Sequence, residues 1–410
     1  MRSEAKNAIC LSLSLLVFSS SPQSSEGSIA EDEAGLLRKV EKHEQLIRTS
    51  SFRTKNVELE NGLQNMACEI APEHCSDLRV YLLDLPGLNA FVMPNGSIFI
   101  QSGLLLRVED ESQLAAVMAH EIVHFKKKHT LESMRRASDQ AATLAVLGAL
   151  VGAAGNVATA GATSAGQIQS VSNATQTASL MLQSMQVIGG LALLEFSRDN
   201  EEESDMEGAD MAAAAGYSKA AGMELWLAYL EEDKVAGGDT ALSLLSTHPL
   251  PATRVKYLSQ FKQEDQLKHG TPPTTVVQGL YGQRENWLLL ELRVLHPNQF
   301  AYLADKQRAD WDINPQLVNH MKAESWIRYS DRQGLSSSQV REARERAAQA
   351  FVSGEKAPGG LSADGYRDWG MLALELGDRD NAGYALEKYL TLSPEAWDAG
   401  FVEKKLASLR

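Results

Sequence analysis

The chain has 410 residues, 44% of them hydrophobic and 22% charged, a globular balance with room for two or three domains around a sizeable core. Its formal net charge of −14 argues against nucleic acid as the main partner and says little about any other substrate.

Arg2 and Lys6 precede an apolar run over residues 9–18, and small residues follow at 19–21. Charge, a short apolar run and small residues together read as an export signal. The run is too short for an ordinary membrane span. Residues 22–34, rich in Ser, Glu and Gly, are expected to be disordered. From 34 to 71 the apolar spacing is helical: Leu36, Val40, Leu46 and Ile47, then Leu59, Leu63, Met66 and Ile70. After removal of the signal only Cys68 and Cys75 remain, and in an oxidising compartment they are expected to close a small disulfide loop.

Residues 79–84 read as a strand. Residues 89–93 and 97–100 flank Pro94, Asn95 and Gly96, and Asn-Gly between apolar runs is a strong hairpin signal. A small antiparallel sheet is therefore expected, with Ser97, Ile98 and Phe99 on an edge where an extended peptide adds as a further strand.

Residues 110–128 read as a helix with an apolar stripe at Leu114, Met118, Ile122 and Phe125. Asp110 or Ser112 can cap its start, and Lys126, Lys127 and Lys128 suit its last turn. Beside the stripe lies His120-Glu121-Ile122-Val123-His124, an H-E-x-x-H sequence. Residues four apart share a helix face, so both imidazoles can point at one metal ion with Glu121 flanking them as general base. A bare H-E-x-x-H also arises by chance on amphipathic helices.

Residues 137–194 are dominated by small and polar residues, with apolar clusters at 144–151 and 180–194. Neither cluster reaches the roughly 18 apolar residues of a spanning helix. Two helices joined by a mobile loop fit this stretch, either as a lid or membrane-touching segment or as tightly packed helices. A catalytic zinc takes three protein ligands. The third is expected within the helical run at 195–215, where Glu201 and Asp205 share a face. Spacing alone does not choose among Glu201, Glu202 and Glu203. Beyond residues 271–273 the chain reads helical to its end, and Gly370, Ala382, Leu386 and Pro394 fall where one tetratricopeptide unit of about 34 residues places its signature. A generic helical bundle is the alternative.

His-Glu-Ile-Val-His at 120–124, Asn-Glu-Glu-Glu-Ser-Asp at 200–205 and Ser-Thr-His-Pro-Leu-Pro-Ala-Thr-Arg-Val at 246–255 resemble the HtpX/CAAX-prenyl-protease family of zinc peptidases. Within it the likeness is to the periplasmic BepA-like proteases, with Asn89-Ala90-Phe91, Pro94-Asn95-Gly96 and Gly103-Leu104-Leu105 also fitting. The resemblance implies a mostly α zincin-type domain with a small antiparallel sheet at 35–265. The residue patterns themselves place an expected signal peptide at 1–25 before it, with an expected linker at 266–277 and a helical, tetratricopeptide-like domain at 278–410 after it. The resemblance also implies one zinc ion per chain, held by His120, His124 and Glu201. Asp205 is implied as a supporting partner or proton donor, and His248 either fills the water position of the zinc or stabilises the oxyanion. His129 is implied as structural and Arg254 as an anion partner. The expected activity is endopeptidase cleavage of misfolded or stalled envelope proteins in the periplasm, with clients or assembly proteins bound by the C-terminal domain. The alternative is an assembly chaperone with secondary or latent proteolysis.

Overall fold

The computed structural model describes residues 25–139, 196–235, 248, 251–261 and 281–409. The expectations for the export segment before Ser25, for most of 137–194 and for the 266–277 linker fall outside these residues. The architecture is mostly helical with one small sheet.

Helix α1 (Ser25–Arg48) already begins within the stretch expected to be disordered. Its apolar spacing from Leu36 onward extends helix toward the N-terminus, because propagation is easier than nucleation. Glu33 is tied to Arg135 at 2.9 Å. Helix α2 (Val57–Ile70) is capped by Asn56, whose side chain accepts from Leu59 N–H at 3.0 Å. Cys68 at its end is joined to Cys75 in a disulfide.

The sheet has three strands: β1 (Arg79–Leu83), β2 (Ala90–Val92) and β3 (Ser97–Gln101). Their order is β1-β3-β2. The Asn95-Gly96 turn makes the expected antiparallel β2–β3 hairpin, with Phe91 opposite Phe99. The β1–β3 pair is parallel, with Tyr81 opposite Phe99, so the sheet is mixed and not antiparallel. Both faces are buried, and strand alternation sorts the side chains. Tyr81, Leu83, Phe91, Met93 and Phe99 pack against Val40 and Ile47 of α1. Val80, Leu82, Ala90, Val92, Ile98 and Ile100 face the main core with α2 and the helices that follow.

This order corrects the expected edge. Ser97, Ile98 and Phe99 lie on the central strand, paired on both sides and buried, so no backbone group there is open to an added peptide. The far side of β1 is covered by 52–54, through Thr54 N–H to Leu82 O at 2.9 Å and Asp84 N–H to Phe52 O at 2.6 Å. Among the described residues β2 has no strand on its far side. Met93 N–H bonds Ser97 O and Gln101 N–H bonds Asn89 O, so residues 89, 91 and 93 pair with β3. By the alternation of an antiparallel ladder, the backbone groups of Ala90 and Val92 point away from β3, although both residues are buried.

Next come α3 (Ser102–Arg107), α4 (Glu111–Lys126), α5 (His129–Asp139), α6 (Arg198–Ala214), α7 (Ala221–Val235) and α8 (Pro251–Leu258). The C-terminal part adds α9 (Arg284–Glu291), α10 (Pro297–Trp311), α11 (Pro315–Ser330), α12 (Ser337–Lys356), α13 (Ala363–Leu376), α14 (Arg379–Leu392) and α15 (Ala399–Ala407). No helix of the described residues is long and apolar enough to cross a membrane. The main core does not stop before the C-terminal part: Trp287, Leu288, Phe300, Leu303, Val318 and Met321 belong to it. A second core begins in α11 with Ala323 and runs through Phe351, Trp369, Leu386 and Val402. Here α11 pairs with α12 and α13 with α14 as helical hairpins. Ala382 is fully buried, and Gly370 lies against Leu386.

Candidate metal centre

Helix α4 is built as its spacing requires. Leu114, Met118 and Ile122 are buried in the main core, and of the two expected caps it is Asp110 that accepts from Gln113 N–H, at 2.9 Å. The same rotation places His120, Glu121 and His124 on the side facing α6, all buried. Ser197 caps α6 through Asn200 N–H at 3.1 Å. Glu201, Asp205 and Gly208 share one face of α6. A Cβ on Gly208 would stand 3.0 Å from His120 N, so the glycine lets the two helices approach closely enough for Glu201 and Asp205 to reach the histidines.

Four donors converge: His120, His124, Glu201 and His248 each offer one ligand atom, all within 4.8 Å of one another. His120 Nε2 lies 3.0 Å from His124 Nε2 and 3.2 Å from His248 Nδ1. Glu201 Oε1 lies 2.9 Å from His248 Nδ1 and 3.4 Å from His124 Nε2. A tetrahedron of N and O donors about 2.0–2.2 Å from a zinc ion has edges of about 3.3–3.6 Å, so the cluster has the right scale. His120 Nε2 cannot donate one proton to two facing imidazole nitrogens. Glu201 Oε2, buried, has no hydrogen-bond partner, although Arg254 Nη1 stands 3.1 Å away. A shared cation resolves both features, and the donor set fits zinc. Glu201 is the only one of the three consecutive glutamates in this cluster; Glu203 turns to Lys127 and His129.

The surroundings fix these donors. Asp205 Oδ1 meets His120 Nδ1 at 2.8 Å. Arg254 Nε and the Tyr257 hydroxyl donate to Asp205 Oδ2 at 2.8 and 2.5 Å. Burial opposes ionisation of Asp205, yet the Arg254 and His120 charges hold it well below the usual carboxylate range. Its carboxylate therefore orients His120 on the ring nitrogen that faces away from the cluster. Arg254 lies over the Trp226 ring at 4.1 Å. His129 Nδ1 lies 3.1 Å from His124 Nδ1 and buttresses that ring. Burial, first of all, keeps the His124 imidazole neutral, well below its ordinary pKa, as a metal ligand requires. Glu201 is held ionised against its burial by His248 and Arg254. His248 Nε2 lies 3.4 Å from Glu121 Oε1, so its ring stands between Glu121 and Glu201. A recess opens from the cluster, lined by Val117, Leu225, Trp226 and Leu258, with Leu88, Asn89 and Ala90 along one side.

Sequence reasoning did not single out Tyr257, Trp226 or Gly208. For Gly208 the usable signal was a small residue one turn beyond Asp205 on the same helix face, at the crossing point with α4.

Comparison with known proteins agrees with this geometry. The model of peptidase family M48 matches residues 53–262, and the chain belongs to that family of zinc-dependent metallopeptidases. The mitochondrial metalloendopeptidase OMA1 of Schizosaccharomyces pombe is 31% identical over 206 residues, 49% of this chain and 52% of that protein. The beta-barrel assembly-enhancing protease of Escherichia coli is 30% identical over 175 residues, 43% of this chain and 32% of that protein. The protein of that name from Yersinia pestis is 26% identical over 240 residues, 57% of this chain and 45% of that protein. The chain thus spans about half or less of the length of these relatives.

Proposed function

We propose that the chain is a zinc-dependent endopeptidase of the bacterial cell envelope. The observation that carries this reading is the convergence of His120, His124, Glu201 and His248 with Glu121 at its side. His120, His124 and Glu201 would hold the ion. Zinc, when bound, supplies a Lewis acid that polarises a carbonyl and acidifies water. Glu121, buried beside the cluster, takes the proton of the attacking water and returns it to the departing amine. Asp205 keeps His120 in register and, held ionised by Arg254, is no proton donor. A peptide adds to the backbone of Ala90 and Val92 on β2 that faces away from β3, in place of the expected Ser97–Phe99 edge, once the cover over these buried residues gives way, and a side chain enters the recess beneath.

His248 would offer the resting site a fourth donor and give way when substrate enters. Its Nδ1 is already directed at Glu201 and His120. The polypeptide substrates are misfolded or stalled outer-membrane proteins in the periplasm, reached after export. The names of the beta-barrel assembly-enhancing relatives support this choice. The helical hairpins of α11–α14 form a tetratricopeptide-like surface for clients or assembly proteins. Their separate core also favours a second reading, an assembly chaperone whose proteolysis is latent. Metal analysis of the purified chain should find one zinc, lost in His124→Ala, and His248→Ala should raise basal casein cleavage. A chain without zinc contradicts both readings. Zinc without cleavage, even in His248→Ala, favours the chaperone.

A further inference from the structure

The residue that ties the C-terminal part to the candidate site lies outside the span matched by the family. Glu291, at the end of α9, is fully buried 204 positions from its partner Gly87, whose N–H it accepts at 2.7 Å through Oε1. Gly87 sits in the β1–β2 loop, immediately before Leu88, Asn89 and Ala90 along the recess. The joint is tight: a Cβ on Gly103 would stand 2.2 Å from Glu291 Oε1 and 2.3 Å from Gly87 N, so only a glycine at 103 lets the carboxylate reach the loop. Arg107 Nη1 donates to the same Oε1 at 3.1 Å, while its Nε and Nη2 fork onto Glu232 at 2.9 and 2.6 Å. At the start of the same loop, Trp287 of α9 donates to Asp84 at 2.9 Å. Helix α9 therefore grips the segment that delivers β2 to Glu121.

We infer that Glu291 is a positioning residue of the peptidase: through Gly87 it sets the β2 edge on which the substrate strand is laid. The inference rests on the peptidase reading and on β2 as the substrate edge. Strand addition uses the main-chain groups of Ala90 and Val92, so a loose loop weakens substrate binding and leaves Glu121 and the metal donors in place. The carboxylate works here as an acceptor held by Arg107, so a side-chain amide at 291 can substitute for it and an apolar side chain cannot.

The test compares Glu291→Leu, Glu291→Gln and Gln299→Leu in the full, zinc-loaded chain, with casein as substrate. Gln299 donates to Glu232 at 2.9 Å in the same buried network without touching the loop, so it reports stability loss alone. Glu291→Leu should raise KM roughly tenfold with kcat within about twofold of wild type. It should also speed amide exchange at 87–92. Glu291→Gln should restore KM, and Gln299→Leu should leave KM unchanged even where it lowers Tm. A wild type that cleaves, with Glu291→Leu matching its KM or with Gln299→Leu shifting KM equally, overturns the inference and leaves the peptidase reading intact. A zinc-loaded wild type that cleaves nothing overturns the peptidase reading and this inference with it.

Discussion

The two cores of the molecule use charge in opposite ways. In the peptidase unit, Arg107, Glu121, Glu201, Asp205, Glu232, Arg254 and Glu291 are all buried, together with His120, His124 and His248. In the second core, from Ala323 onward, Asp398, paired with Arg367, is the one buried charged side chain among the described residues, and most of the other ion pairs lie near the surface. Arg341–Glu345 and Arg346–Glu342 are exposed pairs one helical turn apart. Buried charge is costly unless paired, so a chain that concentrates it in one region marks where chemistry or positioning needs it. A mostly apolar core supports a surface with little buried charge to spare for chemistry.

Removal of a charge should therefore separate the two regions. Arg254→Met has the largest expected effect, because it strands Asp205 in the interior. A loss of about 3–5 kcal/mol of stability is expected. Zinc affinity should fall about 10–100-fold as His120 loses its orientation. Chemical denaturation and a zinc competition assay check both, and a variant that keeps its zinc affinity breaks the claim that Asp205 and Arg254 serve the metal donors. Phe351→Ala, in the second core, should cost a similar 3–5 kcal/mol or so by opening a cavity. It should leave zinc content and the casein kcat unchanged, and a parallel fall in either erases the contrast between the regions.

A smaller effect belongs to Glu44 of α1, which accepts from Arg79 at 2.7 Å, Tyr81 at 2.9 Å and Asn95 at 2.7 Å. Burial opposes its ionisation, but the Arg79, Tyr81 and Ser97 hydrogen bonds lower its pKa from 4.5 to about 2. A depressed carboxylate pKa contributes stability that is present above 4.5 and lost as pH falls through about 2. Glu44→Gln should lower Tm at neutral pH, and its difference from wild type should vanish over that acid window. A difference independent of pH refutes the role of the charge.

How much of this was legible follows the range of each interaction. The α4 stripe and the His120–His124 pair are local, and helical periodicity alone exposes them. Cys68 and Cys75 are close in sequence and also joined in the fold. Three adjacent glutamates defeat spacing, and only family resemblance selects Glu201, the one that the fold then brings to the histidines. The hairpin signal at Asn95-Gly96 pairs β2 with β3 but does not say on which side β1 joins, so the edge was assigned to the wrong strand. Composition suggested disorder at 22–34, where α1 starts at Ser25. The main core's continuation into α9 and α10, and the reach of Glu291 to Gly87, leave no local pattern, because both depend on segments far apart in the chain.

The central claim is that Glu121 does its chemistry beside a metal held by its helix neighbours. The most direct measurement is casein cleavage by the zinc-loaded chain beside Glu121→Gln. The isosteric change should reduce kcat by about 10²–10⁴-fold with one zinc still bound in each protein. Equal cleavage by the two proteins would contradict the account.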